Sequence, residues 1–193
     1  KYNFESKNVI FLKNEKKLSS SEKSTLKDSD LYFYKFNKFD YSLSDGMLKA
    51  KKVRVVKDFK KSNEEKEYYN FEEGIFNIKS KDFIAGKTEI IVKKNIFDVS
   101  KNDPRMYGVS SKKENNLTTV NKGVFTSCEL NDKCPPWSIS ANKIIHDSDK
   151  KQVIYNNAIL KIYDIPVLYF PKFFHPGPSV KRQSGFLQPR LNE

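Results

Sequence analysis

The chain has 193 residues, of which 36 are Lys or Arg and 24 are Asp or Glu, so its formal net charge is +12. This length allows one domain of sandwich or barrel size, and the charge favours an anionic partner such as nucleic acid, phosphorylated lipid or a membrane surface. No apolar run of about 18 residues and no charged-then-apolar leader is present, so we expect neither a membrane-spanning helix nor a retained signal peptide.

The first 120 residues are typical of short strands separated by polar loops. Residues 9–12 form a short apolar run, and from Leu31 aromatic residues alternate with Lys and Asn without a sustained helical period. A small residue then recurs inside successive apolar stretches, at intervals that vary with the loops. These small residues are Ala50, Gly74, Ala85, Gly123, Ala141 and Ala158. Such a repeat predicts stacked hairpins whose strands approach closely at a sheet corner.

The last third predicts a β-hairpin followed by an edge strand. Trp137, Ile139 and Ala141 alternate with polar residues, residues 147–151 have turn chemistry, and residues 153–163 are extended. Pro166 and Pro171 then bracket a short apolar run, and a proline cannot donate to a ladder, so we place this strand at a sheet edge.

The patterns together predict an all-β fold, an elongated, V-shaped β-jelly-roll of stacked antiparallel strands. A closed barrel or an ordinary sandwich is the alternative, because alternation does not distinguish an open groove from a filled core. Residues 62–69 are the only candidate for a short helix.

The candidate chemical groups indicate no enzyme. His146 and His175 do not stand at a zinc-ligand spacing from Cys128 and Cys134, and no nucleophile elbow, phosphate-cradling glycine loop or metalloprotease motif is present. We therefore expect no catalytic residue, no metal site and no cofactor. We place His146 beside a turn and His175 in the Pro-Gly-Pro loop.

The two cysteines are close in sequence and leave two possibilities. A Cys128–Cys134 disulfide would close a small loop and contribute roughly 2 kcal/mol. Alternatively, each cysteine pairs with one outside this chain. Either pairing suits an oxidising compartment such as a periplasm.

Several motifs in fixed order resemble one known family. They are the CPPWSI stretch at residues 134–139, ANKIIHD at 141–147, NNAILKIYDIPVLYFPKF at 156–173 and RQSGFLQP at 182–189. Residues 123–193 resemble the lipopolysaccharide-assembly protein LptD family, also called OstA or Imp, and the first 120 residues share only the loose repeat.

The resemblance implies an OstA-like periplasmic domain of a Gram-negative outer-membrane protein. It implies lipopolysaccharide transport and insertion at the outer membrane: the lipid A chains pass from an LptA-like periplasmic bridge, along an apolar groove, to a C-terminal barrel plugged by an LptE-like lipoprotein. Residues 1–178 would be the jelly-roll. Residues 179–193 would be the linker and the start of the first barrel strand, with Pro176, Gly177, Pro178 and Gly185 as the hinge and barrel entry. A cysteine before the Trp strand would pair with the barrel.

Alternation and the resemblance together give the groove residues. Along residues 154–163 the even positions are the more aliphatic, so we point them inward and Tyr155 outward. Lysines such as Lys143, Lys161 and Lys172, together with Lys181 and Arg182, would meet the anionic head group outside. The predicted groove residues are Ile139, Ile144, Ile154, Ala158, Leu160, Ile162 and Leu168.

Three other functions remain open from the sequence. One is a bridge-type member of the same fold group, against which residues 182–189 argue. Another is a basic, aromatic-rich β-domain that stacks on single-stranded nucleic acid, although we expect no nucleic-acid partner. The third is a purely structural assembly domain, in which inward apolar residues serve stability alone.

Overall fold

The computed structural model describes residues 2–29, 31–92, 103–128 and 136–176. Within these ranges the chain forms thirteen strands and one short 3₁₀ turn, Asn63–Glu65, so the helical candidate is a single turn followed by a strand. No helix in this part of the chain has the length and apolarity needed to cross a membrane. The strands are β1 Asn3–Glu5, β2 Ile10–Leu12, β3 Lys17–Ser20, β4 Ser24–Lys27, β5 Tyr32–Ser42, β6 Met47–Lys57, β7 Glu67–Asn77, β8 Phe83–Ile91, β9 Arg105–Glu114, β10 Leu117–Thr126, β11 Trp137–Asp147, β12 Gln152–Ile162 and β13 Ile165–Pro176.

The strands form one antiparallel sheet that is not closed. From β4 to β13 their order in the sheet is their order in the chain, so from β5 onward each strand pairs with its sequence neighbours. This confirms the all-β, stacked-antiparallel prediction, and the open sheet excludes the closed barrel among the described residues.

The two ends of the sheet differ. At the N-terminal end, β5 pairs with β4 along its first half and with β3 along its second half, and β1 and β2 lie outside these two strands. At the other end, β13 is the last strand of the sheet within the described residues; it has 12 residues and contains both Pro166 and Pro171. Within the part of the chain that the structure describes, the predicted edge position of this segment is therefore confirmed.

The long strands bend at one common level. Between β6 and β7 the ladder pairs Lys51 with Glu73 and resumes at Val53 with Phe71, so Lys52 and Glu72 face each other at the bend. In β12, Val153 and Tyr155 are buried before the bend, and Ala158 is buried after it. In β12 the inward-facing residues are thus odd-numbered before the bend and even-numbered after it. The two halves of the long strands form two arms, one on each side of the bend, and the arms enclose one interior.

A left-handed residue marks this bend in every second strand. Lys52, Lys87, Lys122 and Asn157 all have positive φ, each 35 residues beyond the one before. The residues two before them and one after them are buried throughout. The small residues vary in spacing as expected, whereas the left-handed residues of β6, β8, β10 and β12 recur at a constant interval that the sequence analysis did not predict.

The small residues predicted from the sequence are register partners. Ala50 pairs with Gly74 and Gly74 with Ala85, on one side of the bend. Gly123, Ala141 and Ala158 pair in the same way on the other side. A Cβ on Gly123 would lie 2.6 Å from Ile144 Cδ1, so any larger residue there would displace the buried Ile144 side chain. These rows confirm that small residues permit close approach at the corner.

The inward side chains form two core clusters along the sheet. The first, built on β4 to β8, is rich in Phe and Tyr; the second, built on β8 to β12, includes Trp137, Ile144 and Tyr155. Tyr69 of β7 packs against both clusters. The apolar interior is therefore continuous from the N-terminal strands to β13, whose Phe170 and Phe173 pack on the second cluster.

Candidate functional site

The candidate site is the interior between the two arms. It contains two cavities of about 60 and 30 Å³, and Tyr69 lines both of them. The larger is bounded by Ile90, Met106 and Phe125 from one arm and by Val153 and His175 from the other. Cavities that hold a small-molecule ligand are about 300–1,000 Å³. The described conformation is thus closely packed, and a long apolar ligand would enter only if the arms separate.

Polar side chains from both arms meet where the arms approach each other. Glu67 Oε2 accepts a hydrogen bond of 2.9 Å from the Tyr69 hydroxyl and forms an ion pair of 3.0 Å with Lys57 Nζ. Burial, together with the Glu67 carboxylate, raises the pKa of Tyr69 well above its ordinary value. Tyr69 is therefore a neutral donor at physiological pH.

The opposite arm brings His146 and Lys113 to the same region. Glu67 and His146 both line the larger cavity, and Lys113 lines the smaller one. Burial, together with the charges of Lys57 and Lys113, lowers the pKa of His146 although Glu67 opposes the shift. Burial and Lys57 likewise lower the pKa of Lys113. These groups form a partly desolvated polar rim around an apolar interior.

A buried aromatic cluster borders the larger cavity through His175. The ring of Tyr155 lies 5.5 Å from that of His175 and 5.6 Å from that of Phe173. His175 Nδ1 donates to the Pro176 carbonyl at 2.8 Å, so Nε2 of the neutral ring accepts the Tyr155 hydroxyl at 2.9 Å. Placing His175 in a loop was wrong: it is a buried residue of β13, and burial lowers its pKa.

Six of the seven predicted groove residues lie on the inner face. Ile139, Ile144 and Ala158 are buried in the second core cluster, and Leu160 packs on it. The side chains of Leu168 and Ile162 also point to the inner face, in the arm beyond the bend. They are nevertheless 54% and 37% exposed, because they lie at the open end of the sheet. Lipid contact at these residues stays a prediction.

Ile154 and Tyr155 are placed opposite to expectation. Ile154 faces outward with its register partners Ile145 and Phe174, and Tyr155 is fully buried. The cause is Asn157, whose φ of 51° adds a residue at the bend and reverses the alternation before it. A single even-numbered face along 154–163 was therefore wrong for the first half of β12.

The cysteine and hinge predictions lie largely outside the described residues. The Cys128 thiol is free within them, is half-buried and lies 3.7 Å from the Trp137 carbonyl oxygen. Cys134 falls in the segment 129–135, and Gly177, Pro178 and Gly185 fall beyond residue 176. Pro176 is the last residue of β13.

Sequence reasoning missed Glu67, Tyr69, His146 and His175 as interior groups. Glu67 and Tyr69 alternate at the start of β7, and this period of two was the available signal, masked by the charged run before it. Nothing in the sequence shows that Glu67 and His146, four strands apart, line one cavity. Of the residues predicted to meet the head group, Lys143 and Lys172 are exposed and Lys161 is half-buried, whereas Lys181 and Arg182 fall outside the described residues.

No protein-family model matches the chain. Curated relatives do: the chain is 36% identical over 77 residues to an LPS-assembly protein LptD of Polaromonas sp., covering 38% of this chain and 9% of that protein. The LptD of Yersinia enterocolitica is 38% identical over 76 residues and that of Hahella chejuensis 35% over 75 residues, each match covering 39% of this chain and 9% of the relative. Each match thus spans about a tenth of the length of the relative, and the matched part of this chain is similar in sequence to LptD proteins.

Proposed function

We propose that this LptD-like domain takes part in lipopolysaccharide assembly at the outer membrane, as a conduit for acyl chains and not as an enzyme. The observation that carries the proposal is the continuous apolar inner face, which runs through both core clusters from the N-terminal strands to β13. Curated proteins with similar sequence carry the name LPS-assembly protein.

The energetics favour a continuous path over a single binding pocket. Burying an acyl chain is worth about 0.8 kcal/mol per CH₂, so a tail of about 12 carbons costs on the order of 10 kcal/mol to expose. Sliding between similar apolar environments avoids that cost without any chemical step. Because the two cavities are small, we propose that the arms separate at the rim formed by Glu67, Lys57, Lys113 and His146 to admit the chains.

The N-terminal edge is the better candidate for docking an LptA-like bridge. Residues 9–12 expose four large apolar side chains, and β2 pairs only with β3, so its other side is unpaired among the described strands. This edge strand contains no proline. A similar β-domain can therefore extend the sheet here by strand addition. Periplasmic location, the C-terminal barrel and its LptE-like plug belong to the same proposal and rest on the similarity to LptD.

Site-specific photocrosslinking during lipopolysaccharide delivery tests the conduit. A crosslinkable side chain at Leu160 faces the interior, and one at Ile159, next to it in β12 and also half-buried, faces outward. We expect a lipopolysaccharide adduct at position 160 and none at 159.

Adducts at both positions, or at neither in a chain shown to be folded by circular dichroism, would contradict the conduit. A domain that serves only as a scaffold predicts the second outcome. Oligonucleotide binding that weakens with salt, without lipid adducts, would favour the nucleic-acid function.

A further inference from the structure

Three neighbouring side chains of one arm form a polar row at the rim. Thr118 pairs in register with Lys113 on one side and with His146 on the other, so the row crosses β9, β10 and β11. Thr118 and His146 line the larger cavity and Lys113 lines the smaller one, so the row faces the interior. Within the described part of the chain, none of these three side chains makes a hydrogen bond or an ion pair.

The chemistry of the row fits a phosphate group. The Lys113 ammonium group has three N–H donors, the Thr118 hydroxyl has one donor, and the His146 ring has at least one in either protonation state. Side chains at paired positions of neighbouring strands stand about 5 Å apart at Cβ, so all three can reach one ligand group. A phosphate monoester offers three terminal oxygens, and lysine is a common phosphate ligand. A carboxylate, with two oxygens, would use only part of the row.

In the closed chain, the opposite arm supplies negative charge to this row. Burial lowers the pKa of Lys113 and of His146, and the Glu67 carboxylate opposes the shift in both. Glu67 is held by its own arm, through the hydrogen bond from Tyr69 and the ion pair with Lys57. When the arms separate, Glu67 therefore stays with Tyr69 and Lys57, and the row loses this anion.

The carboxylates on the same arm as the row are engaged in turns. Asp82, which favours the charged form of Lys113, accepts a hydrogen bond of 2.8 Å from a backbone N–H of the β9–β10 turn. Asp147, which favours the charged form of His146, accepts two from backbone N–H groups of its own turn. Lys81 adds positive charge beside Lys113. An opened rim is therefore short of negative charge on this arm.

We propose that Lys113, Thr118 and His146 form a phosphate site that binds the head-group phosphate of a phosphorylated lipid once the arms have separated. The phosphate takes the place of Glu67 as the anion beside the row. The inference rests on the proposed function, because the opening that admits acyl chains is also what exposes the row. It adds selectivity: an apolar interior accepts any acyl chain, whereas this site favours lipids that carry a phosphate close to their chains.

Equilibrium binding of two matched lipids to the 193-residue chain tests the site. The probes are lipid A with its phosphates and the same lipid after the phosphates have been removed, so that the acyl chains are identical. We expect the unchanged chain to bind the phosphorylated lipid about tenfold more tightly or better, because hydrogen bonds to charged groups are worth at least that factor. Equal affinity for the two lipids would overturn the proposal.

The variant Lys113→Met/His146→Gln removes the charge and the imidazole while keeping side chains of similar length. We expect it to lose the preference for the phosphorylated lipid and to keep its affinity for the dephosphorylated one. Lys113→Arg should retain the preference, because it keeps the positive charge. The matched control is Lys143→Met, which removes the same charge from an exposed position of β11 and should leave both affinities unchanged. Loss of the preference in this control as well would assign it to the net charge of the chain and overturn the site.

Circular dichroism establishes that each variant folds, and Lys113→Met alone, with the same expected direction, replaces a double variant that does not. Inorganic phosphate tested without lipid separates a lipid phosphate from a soluble one. We expect no saturable binding at millimolar concentration, because the row is half-buried in the closed chain. Saturable binding that the double variant abolishes would assign the row to a soluble anion and overturn the lipid assignment.

The two proposals fail separately. Equal binding of both lipids, together with an adduct at position 160, contradicts the phosphate site alone. A preference for the phosphorylated lipid that depends on the row, without an adduct at position 160, contradicts the conduit alone.

Discussion

At the level of single residues, glycines at the bend matter through the space they leave. Gly123 is buried, and a Cβ there would lie 2.6 Å and 3.0 Å from the Ile144 side chain, which is itself fully buried. Gly86, in β8, has nothing within 4 Å of its Cβ position. The same substitution therefore has opposite consequences at these two sites.

We expect Gly123→Ala to lower the free energy of unfolding by about 1–3 kcal/mol, the usual cost of overpacking a core. Gly86→Ala should leave it unchanged or raise it by up to about 1 kcal/mol, because alanine reduces the entropy of the unfolded chain. Urea unfolding measures both. A similar loss in the two variants would show that glycine is needed for backbone freedom rather than for space.

The groove prediction from sequence succeeded and failed at identifiable residues. Alternation placed Ala158 and Leu160 inward, because the pleat alone determines side-chain direction in the second half of β12. Alternation misplaced Ile154 and Tyr155, because the left-handed residue Asn157 reverses which positions of β12 face inward. The sequence does not show whether Asn156 or Asn157 adopts this conformation. The meeting of Glu67 with His146 depends on how the arms fold together, which no local pattern encodes.

At the level of the strand, the left-handed residues are the device that bends the sheet. Lys52, Lys87 and Lys122 adopt φ of 48°, 45° and 47°, and a residue with a Cβ is strained in this region by about 1–2 kcal/mol. All three are exposed, so their side chains do not repay the strain by burial. The bend is instead stabilised by the buried residues on either side of it.

This strain gives a test of the bend. We expect Lys122→Gly to keep or raise the free energy of unfolding, by up to about 1 kcal/mol, because glycine adopts positive φ without strain. Lys143→Gly changes the same residue type at an exposed position of β11 with ordinary strand geometry. It should cost about 0.5–1 kcal/mol. Denaturant titration compares them, and an equal loss at both positions would be inconsistent with strain at residue 122.

The fold class was predictable, whereas the regularity of the repeat was not. Aromatic and β-branched runs with turn residues indicated antiparallel hairpins, and Pro166 and Pro171 indicated the edge. The constant interval of 35 residues went unrecognised because the recurring residue is Lys three times and Asn once, in a chain rich in both. Its signal is backbone conformation, which the residue type does not reveal.

At the level of the molecule, the two arms are held together by an interior that contains titratable groups. His175 accepts a hydrogen bond from Tyr155 on Nε2, which protonation removes, and His146 lies among Lys57, Lys113 and Glu67. Burial lowers the pKa of both histidines below the ordinary value of 6.5. Well above pH 6.5 both histidines are neutral in the folded and in the unfolded chain. As the pH falls below 6.5, the histidines of the unfolded chain bind protons before those of the folded chain do, which favours unfolding.

We therefore expect the free energy of unfolding to decrease as the pH falls from 6.5 towards 5, before most carboxylates titrate. The variant His146→Gln/His175→Gln should show a flatter dependence in this window, with little change between pH 7 and 8. Urea unfolding across the range provides the measurement. An unchanged slope in the variant would assign the acid sensitivity to other groups.

The agreement between strand order in the sheet and strand order in the chain bears on how such a domain changes in size. Each 35-residue unit contributes two strands, and neighbouring strands lie about 4.8 Å apart, so one unit lengthens the interior by roughly 10 Å. Because a unit pairs only with its immediate neighbours, duplication or loss of one unit leaves the remaining pairings intact. Homologous domains can therefore differ in reach by whole units while keeping the same cross-section.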